Sequence, residues 1–430
     1  MRILLSAFAC EPGEGSEGGV GWSWAYYLAK AGNQVTVLTW DGQREAIESK
    51  LSEFNLPNLR FEYLGVRYVP FWMPGPGVYP YYFFWQWHAY LRARQLHRLH
   101  RFDVAHHVTY AVFRNPSYLY LLGVPFIFGP VGGGETAPRA LRVSMSRKAQ
   151  VFEALRDLAN LFARLDPFWH AMLRNCACIV VKTEETRASL PLKYRAGAAI
   201  SLDNMAQNQP FLAGASRREP PFKLLYAGRL LPWKGLHLAV QAMAKVASAG
   251  AFRLTIVGKG EEDRRLKEDV RRMGLQDCVE FIPWVPRSEV LALYAVHDAF
   301  LFPSLHDSGG TVVLEAISRG KPVICFDLGG PPLIVDRYCA RIVGARGKTE
   351  EQAIQGLADA MIELSRMPDL EWDQMRHAAM RRAQFCSSDQ VIAHVYGAFR
   401  HANSLPAGCA NSVVSTEDLA GPLAERPDAR

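Results

Sequence analysis

One segment in the second half of this 430-residue chain carries the residue types that bind a diphosphate and a sugar. Asp307 lies in a loop after an apolar run that ends at Phe302, and Glu315 lies about one turn into the helix predicted to follow. Between the two acids, Ser308-Gly309-Gly310-Thr311 would present bare backbone amides at the helix N-terminus, which attracts phosphate. The two carboxylates can hold sugar hydroxyls on either side of the diphosphate.

A second segment places two cations just beyond a predicted strand. Arg229 and Lys234 are five residues apart, and Gly228 and Gly235 bracket them. A guanidinium and an ammonium at this spacing suit two oxygens of one pyrophosphate. We therefore predict that the pair neutralises a leaving diphosphate.

The N-terminal glycine-rich segment is a competing candidate for a dinucleotide site. Residues 13–18 read GxGxxG after an apolar run, and Asp41 follows the next such run, a pattern typical of dinucleotide-binding oxidoreductases. However, Glu11, Glu14 and Glu17 would surround a pyrophosphate with negative charge. Four residues also separate Phe8 from Gly13, the first glycine of the motif, where the fingerprint requires a tight turn. The sequence therefore disfavours NAD or FAD.

The elements around these segments alternate between strand and helix in both halves of the chain, which predicts an α/β fold with two Rossmann-like domains. In the first βαβ unit we expect a loop over 11–21 and a helix over 22–31, and further helices near 84–100 and 148–174. We expect an acceptor-side domain over 1–195, a donor domain over 196–384, a closing helix over 385–402 and a flexible tail over 403–430, with the interdomain connection near 207–221. Ligands of such sheets bind outside the carboxyl ends of the strands, so the site is expected in the cleft between the domains.

These motifs together resemble the donor domain of retaining, GT-B-fold glycosyltransferases of glycosyltransferase family 4, the glycosyl transferases group 1. The resemblance rests on Gly-Arg followed by Lys-Gly, on Gly258-Lys259-Gly260-Glu261, and on an acid and a glutamate separated by seven residues before Gly-x-Pro-Val. It spans most of the chain and implies a GT-B architecture. By this resemblance Arg229 and Lys234 grip the diphosphate of a nucleotide sugar, Asp307 contacts the transferred sugar and Glu315 contacts the ribose.

The resemblance also implies a front-face mechanism, in which the departing phosphate accepts the proton of the acceptor while cations and the helix N-terminus stabilise its charge. The donor-binding residues implied, besides those four, are Gly18, Gly19, Gly228, Ser308, Gly309, Gly310 and Thr311. The nucleotide sugar is a co-substrate, so no cofactor is expected. No metal is expected either if Arg229 and Lys234 stabilise the charge of the diphosphate, and the sequence contains no Asp-x-Asp pair that could hold one.

Two positions depart from the family pattern. The first acid is usually Glu, and Asp307 is one methylene shorter. Many members also carry a histidine after the strand that here ends at Phe128, where this chain reads Gly-Pro-Val-Gly-Gly-Gly-Glu. The candidates to contact the acceptor or sugar are Glu17, His106, His107, Gly133 and Glu135. His106 and His107 either replace the missing histidine or have a purely structural role, with their hydrogen bonds made inside the fold.

Composition limits the possible partners. Hydrophobic residues make up 49% and charged residues 21%, which excludes a disordered chain, and the net charge of +7 is spread without a basic run or a nucleic-acid motif. We therefore expect a partner that is an anionic small molecule or an anionic membrane surface, and no nucleic acid. The eight cysteines include no CxxC pair, which indicates a reducing cytosol.

An uncharged stretch over 68–91 is long enough to cross a bilayer, but its prolines and glycines would break a spanning helix. Its aromatic residues precede a basic segment over 92–101, and this mixture favours a membrane interface. The alternative is that the stretch forms an aromatic loop and helix packed on the core. The expected location is cytoplasmic, peripheral on the inner face of the membrane.

The sequence thus predicts a retaining hexosyltransferase that acts on a saccharide or lipid-linked saccharide in bacterial surface polysaccharide assembly. Two alternatives remain: an inactive carbohydrate-binding subunit of the same fold, and a sugar-nucleotide epimerase, which would consume nucleotide sugar without an acceptor.

Overall fold

The computed structural model describes residues 1–13, 15–66, 78–206, 220–246 and 251–404, and within them the chain forms two parallel sheets. The strands of the first sheet are β1 (Arg2–Ser6), β2 (Gln34–Trp40), β3 (Leu59–Leu64), β4 (Val104–His107), β5 (Phe126–Val131), β6 (Cys178–Val181) and β7 (Ala198–Ile200), ordered β3-β2-β1-β4-β5-β6-β7. Those of the second are β8 (Phe222–Ala227), β9 (Phe252–Val257), β10 (Val279–Ile282), β11 (Ala299–Phe302), β12 (Val323–Phe326) and β13 (Ala340–Val343), ordered β10-β9-β8-β11-β12-β13.

Helices connect the strands in both halves. In the first half they are α1 (Ser16–Lys30), α2 (Arg44–Leu51), α3 (Val78–His100), α4 (Arg147–Phe162), α5 (Pro167–Asn175), α6 (Glu184–Ser189) and α7 (Leu192–Arg195). In the second half they are α8 (Leu236–Val246), α9 (Asp263–Arg272), α10 (Arg287–Val296), α11 (Thr311–Ser318), α12 (Pro331–Ile334), α13 (Glu350–Arg366), α14 (Asp369–Phe385) and α15 (Ser388–Ser404). No helix in the described ranges combines the length and apolar character needed to cross a bilayer.

Both faces of the first sheet are buried. Along β1, Ile3 packs in one apolar cluster with Trp24 of α1, whereas Leu4 packs in another with Trp85 of α3. Side chains alternate between the faces of a strand, so this separation shows that helices cover each side, as parallel sheets require. Val395 of α15 joins the first of these clusters, so the last described helix returns to the first domain.

In each sheet the first connections add strands on one side of the first strand, and the later ones add strands on its other side. The direction reverses between β1 and β4 in the first sheet and between β8 and β11 in the second. In doubly wound sheets such a reversal leaves a crevice at the carboxyl ends of the strands. Arg229 follows β8 and Asp307 follows β11, so the fold brings the two predicted motifs to one crevice.

The structure corrects three predicted bounds. Strand β7 pairs with β6, so the first sheet extends past the expected division between 195 and 196. Helix α1 begins at Ser16 rather than at Trp22, so the glycines expected in a loop lie within the helix. A Cβ on Gly21 would lie 2.0 Å from the Ala9 carbonyl oxygen, which accounts for a glycine at that position. The helix expected over 148–174 is two helices, separated where Pro167 begins α5.

Some predictions fall on residues that the structure does not describe. These are most of the interdomain connection, the first part of the 68–91 stretch, Glu14, and the tail beyond residue 404.

Candidate functional site

Lys234 and Asp307 meet at the carboxyl edge of the second sheet. After β8 the chain makes a short helical turn over Pro232–Lys234, and Gly235 follows with φ of 68°. A Cβ on Gly235 would lie 2.0 Å from the Pro303 carbonyl oxygen, so this turn approaches the loop after β11 as only glycine allows. The Lys234 ammonium consequently forms a half-buried ion pair with the Asp307 carboxylate.

Asp307 is held from a second side by backbone amides. Its Oδ1 accepts hydrogen bonds from the Gly309 and Gly310 amides at 3.0 and 2.8 Å. Burial raises the pKa of Asp307, but the Lys234 ammonium and these two amides outweigh it and lower the pKa to about 2. The two amides predicted to meet phosphate thus bind the Asp307 carboxylate here, beside Thr311, the first residue of α11.

Arg229 supplies the second cation of the predicted pair. Its side chain is exposed, and the Tyr226 hydroxyl donates a hydrogen bond of 2.9 Å to its carbonyl oxygen, which fixes the turn after β8. Among the described residues, no hydrogen bond or ion pair holds the Arg229 guanidinium, so it is open to an anion.

Glu315 lies in α11 and is bound by a residue that the sequence analysis did not identify. Arg287, the first residue of α10, donates to Glu315 Oε1 from its Nε and Nη2 atoms, both at 2.8 Å. A cleft between the domains opens beside this pair. It is lined by Gly15, Gly19, Val20, Ser23, Asn204, Met205, Ala206, Arg287, Thr311, Leu314, Glu315, Ser318 and Arg319.

The first turns of α1 form the opposite wall of this cleft. Gly18 and Gly19 lie inside the helix rather than in a loop, and Gly19 lines the cleft. Glu17 accepts a hydrogen bond of 2.8 Å from the Tyr110 amide. Burial raises the pKa of Glu17, and the Lys182 ammonium opposes this rise. The carboxylate of Glu17, which was predicted to lie near the donor phosphates, is therefore directed into the first domain.

Lys182 and Asp203 form a buried ion pair where the two domains meet, and sequence reasoning missed both. Desolvation lowers the pKa of Lys182, but the nearby carboxylates, Asp203 first, outweigh it and hold the pKa above its usual value. Asn204 donates a hydrogen bond of 2.7 Å to the Gly309 carbonyl oxygen. A Cβ on Gly132 would lie 2.6 Å from Ser308 Cβ, so the two domains are in contact here.

His106 and His107 are both buried and partnered. His106 Nε2 lies 2.7 Å from the Gly129 carbonyl oxygen and its Nδ1 lies 3.2 Å from the Tyr396 hydroxyl, while His107 Nε2 lies 3.2 Å from the Tyr82 hydroxyl. Burial lowers the pKa of His106 to about 4 and that of His107 to about 3. Both imidazoles therefore lie buried in the core of the first domain.

Glu135 and Gly133 are likewise held by structural contacts. The buried Glu135 carboxylate accepts from the Gly133 amide at 2.8 Å and from the hydroxyls of Thr183 and Thr186 at 2.5 and 2.7 Å. Asn160 of α4 donates to the Gly133 carbonyl oxygen at 3.3 Å. Glu135 thus anchors the glycine-rich loop after β5, and its carboxylate is not presented to a saccharide.

The missed residues share one sequence signal. Lys182 directly follows β6, Asp203 follows β7, and Arg287 begins the helix after β10. The rule that ligands bind at the carboxyl ends of parallel strands applies to these positions as well as to Asp307. Among the described residues, no cluster of three or more His, Cys, Asp or Glu side chains could hold a metal ion.

Comparison with known proteins agrees with this geometry. Residues 210–381 match the family model described as glycosyl transferases group 1. Residues 210–381 therefore form a glycosyl transferases group 1 domain. This group 1 domain contains all four residues of the predicted diphosphate and sugar site, Arg229, Lys234, Asp307 and Glu315.

Curated relatives align with parts of the chain. The amylovoran biosynthesis glycosyltransferase AmsK of Erwinia amylovora is 24% identical over 288 residues, 59% of this chain and 67% of its own length. The 2-deoxystreptamine glucosyltransferase of Streptomyces kanamyceticus is 33% identical over 129 residues, 30% of this chain and 33% of its own length. Alignments with the first two curated relatives span 60% and 33% of their lengths.

Solved structures extend the likeness to both domains. A sucrose-phosphate synthase from Thermosynechococcus elongatus superposes with a TM-score of 0.63 at 17% identity, covering 94% of this chain and 99% of that one. The lipopolysaccharide outer core galactosyltransferase WaaB also has a TM-score of 0.63, at 11% identity, covering 93% and 99%. The first half of this chain, together with the group 1 domain, therefore has the predicted GT-B fold.

Proposed function

We propose that this protein is a retaining glycosyltransferase that moves a hexose from a nucleotide-diphosphate sugar to a saccharide or lipid-linked saccharide. The observation that carries the proposal is the ion pair of Lys234 and Asp307 at the carboxyl edge of the second sheet, with the exposed Arg229 just after β8, within a group 1 domain. These groups match the charge of a diphosphate and the hydroxyls of a sugar in one crevice. The names of AmsK and WaaB, which concern amylovoran and lipopolysaccharide, favour surface polysaccharide assembly.

The proposed chemistry follows from the charges at the crevice. Arg229 and Lys234 bind the diphosphate and stabilise the negative charge that develops when the anomeric C–O bond breaks. Asp307, ionised at neutral pH because its pKa is about 2, exchanges its contact with Lys234 for a hydroxyl of the sugar. The acceptor hydroxyl attacks from the same face, and its proton passes to the departing phosphate oxygen. Glu315, oriented by Arg287, accepts from the ribose hydroxyls.

Thermal shift with candidate donors tests the diphosphate site. We would compare UDP, GDP, ADP, dTDP and their hexose conjugates on the wild type, on Arg229→Ala, and on Arg253→Ala, which removes an exposed arginine of β9 as a matched control. UDP is the first ligand to try, because a structural neighbour, the Anabaena protein HepE with a TM-score of 0.53, was solved with UDP and glucose. Binding to the folded state raises the melting temperature.

A shift with one nucleotide class that is lost in Arg229→Ala and kept in Arg253→Ala supports the proposal. The absence of any shift in a folded sample contradicts it. With the donor known, NMR of the anomeric proton of the early product distinguishes retention from inversion. Donor binding without transfer to any saccharide favours the inactive subunit, and conversion of the donor without an acceptor favours the epimerase.

A further inference from the structure

Helix α4, the turn after it and the start of α5 expose a continuous row of large apolar side chains. The outer face, as we call it, consists of Val151, Phe152, Leu155, Leu158, Leu161, Phe162, Leu165 and Phe168, which are each between 46% and 73% exposed. The spacing of 151, 155, 158, 162 and 165 is that of one side of a helix. Single exposed apolar residues are common on proteins, but a contiguous row of this size marks an interaction surface.

The amphipathicity of α4 is inverted relative to a helix that packs in water. The side that faces the protein makes mainly polar contacts: Glu153 is buried against His306, Arg156 donates to the Glu135 carbonyl oxygen at 3.2 Å, and Asn160 donates to the Gly133 carbonyl oxygen. At the start of the helix, the small Ala149 packs in the core of the second domain. The side that faces outward is apolar. A surface helix normally shows the opposite arrangement, so the outer face requires an apolar occupant.

The charged residues around the outer face indicate which apolar occupant it binds. Every exposed residue over 147–168 is apolar or basic, with Arg147 and Lys148 at one end and Arg164 near the other. The carboxylates of this stretch are used internally: Asp157 pairs with Arg142 at 2.9 Å, and Asp166 caps α5 by accepting from the Phe168 amide. Within 147–168 no acidic side chain is exposed, and Lys148 lies 3.5 Å from the exposed Glu261 carboxylate of the second half. An apolar surface with a basic fringe fits an anionic lipid interface.

The outer face continues onto α3. Tyr118 lies between them, with ring centroids 6.5 Å from Phe168, 6.2 Å from Phe83 and 5.6 Å from Trp87. Phe83, Phe84 and Trp87 are exposed, and the same side of α3 then presents Arg94 and Arg98. The inner side of α3 is packed, with Tyr81, Tyr82 and Trp85 buried. The described part of the aromatic–basic stretch therefore both packs on the core and extends the apolar surface.

We propose that the outer face and the exposed side of α3 together dock the protein on an anionic bilayer. The apolar side chains enter the boundary between headgroups and acyl chains, and the arginines and lysine remain at the phosphate level. Because α4 is bonded to Gly133 and Glu135, docking holds the loop after β5 beside the membrane. If the proposed function is correct, this placement presents the crevice to an acceptor anchored in lipid.

Flotation with vesicles of defined composition tests the docking surface. We would use the full chain with phosphatidylcholine vesicles and with vesicles in which about a third of this lipid is replaced by phosphatidylglycerol, whose anionic headgroups attract basic residues. The test variant is Leu155→Gln/Leu165→Gln, and the matched control is Val296→Gln/Leu370→Gln in the second domain. Leu165 and Leu370 are both 73% exposed, so neither pair removes core packing. Arg147→Gln/Arg164→Gln tests the basic fringe.

The wild type and the control should float with anionic vesicles, and each of the other variants should bind about tenfold more weakly or worse. Failure of the wild type to float, or equal binding by all variants, overturns the proposal. A dimer that Leu155→Gln/Leu165→Gln abolishes, without flotation, instead assigns the surface to a second copy of the chain. Donor thermal shifts on the same samples keep this result separate from the proposed transferase activity, because the donor crevice is unchanged in every variant.

Discussion

Glu153 Oε1 lies 3.0 Å from His306 Nε2, and this contact links α4 of the first half to the loop that carries Asp307. Both side chains are buried, and the Trp233 ring stacks on the His306 imidazole with centroids 5.4 Å apart. Residues that precede and begin α4, including Met145 and Ala149, pack in the core cluster of the second domain. The helix that exposes the outer face therefore also supports both segments of the diphosphate crevice.

Removing this contact should affect donor binding without removing any group that touches the donor. Glu153→Ala leaves the buried His306 Nε2 without a partner, which should lower the free energy of unfolding by about 1–3 kcal/mol. The donor KM should rise several-fold with a smaller change in kcat, because His306 directly precedes Asp307. Urea unfolding and steady-state kinetics measure the two effects. Glu153→Gln retains an acceptor, so its free energy of unfolding and its donor KM should lie close to those of the wild type. A Gln variant as impaired as the Ala variant would contradict this positioning role.

Lys234 should contribute more to turnover than to donor affinity. In Lys234→Ala the leaving diphosphate loses a charge partner in a half-buried site, so kcat should fall about 100-fold or more, with a smaller change in donor Kd. The matched control is Lys245→Ala, which removes an exposed lysine paired with Glu351 at 2.6 Å and should leave kcat unchanged. Unchanged turnover in Lys234→Ala would remove Lys234 from the mechanism.

The same substitution should change the titration of Asp307. Without the ammonium, burial is opposed only by the Gly309 and Gly310 amides, so the pKa of Asp307 should rise from about 2. A folded pKa below the ordinary value of 3.8 stabilises the protein above about pH 3.8, and this stabilisation is lost as the pH falls toward 2. It amounts to about 2 kcal/mol, and Lys234→Ala should forfeit the contribution of the ammonium to it at pH 7. Carbon NMR of the labelled carboxylate follows the pKa directly.

Local patterns predicted the crevice, whereas contacts between distant segments were not predictable. Asp307 and Lys234 each follow a short apolar run at a glycine-rich turn, and periodicity locates such strand ends. The pairing of Arg287 with Glu315 requires the order of strands in the sheet, which a single sequence does not specify. Strand β7 has only three residues, Ala198–Ile200, too few for a periodic signal.

The buried histidines illustrate the same limit at the level of chemistry. A histidine at a strand end is equally compatible with a catalytic base and with a core side chain. Only the contact of His106 with Tyr396, 290 residues away in α15, distinguishes the two. The exposed apolar face of α4 was missed for a related reason: helical periodicity identifies an apolar side but does not reveal whether it faces the core or the solvent.

The Lys182–Asp203 ion pair should be a strong stability determinant. Lys182→Met leaves the Asp203 carboxylate buried without a counter-charge, and breaking such a pair costs about 3–5 kcal/mol. Removing both charges in Lys182→Met/Asp203→Leu should recover most of this loss, because the Asp203 carboxylate is no longer left buried without its counter-charge. Denaturant unfolding of the two single variants and the double variant measures the coupling. Additive losses in the double variant would show that the pair does not act as a unit.

Stability should fall as the pH drops below about 6.5. Burial lowers the pKa of His106 to about 4 and the pKa values of His107 and His237 to about 3, against an ordinary value of 6.5. The unfolded chain then binds protons that the folded chain does not, so the free energy of unfolding decreases with falling pH. Each histidine contributes about 1.4 kcal/mol between pH 7.5 and 5.5, or about 4 kcal/mol in total.

Urea unfolding at those two pH values measures this loss. His237→Leu removes a buried imidazole whose Nε2 has no hydrogen-bond partner among the described residues, so it should reduce the loss by about 1.4 kcal/mol. The matched control is His88→Gln on the exposed side of α3, which should leave the pH dependence unchanged. Equal stability of the wild type at pH 7.5 and 5.5 would show that these histidines titrate in the folded protein as they do in the unfolded chain, and would contradict their burial in the neutral form.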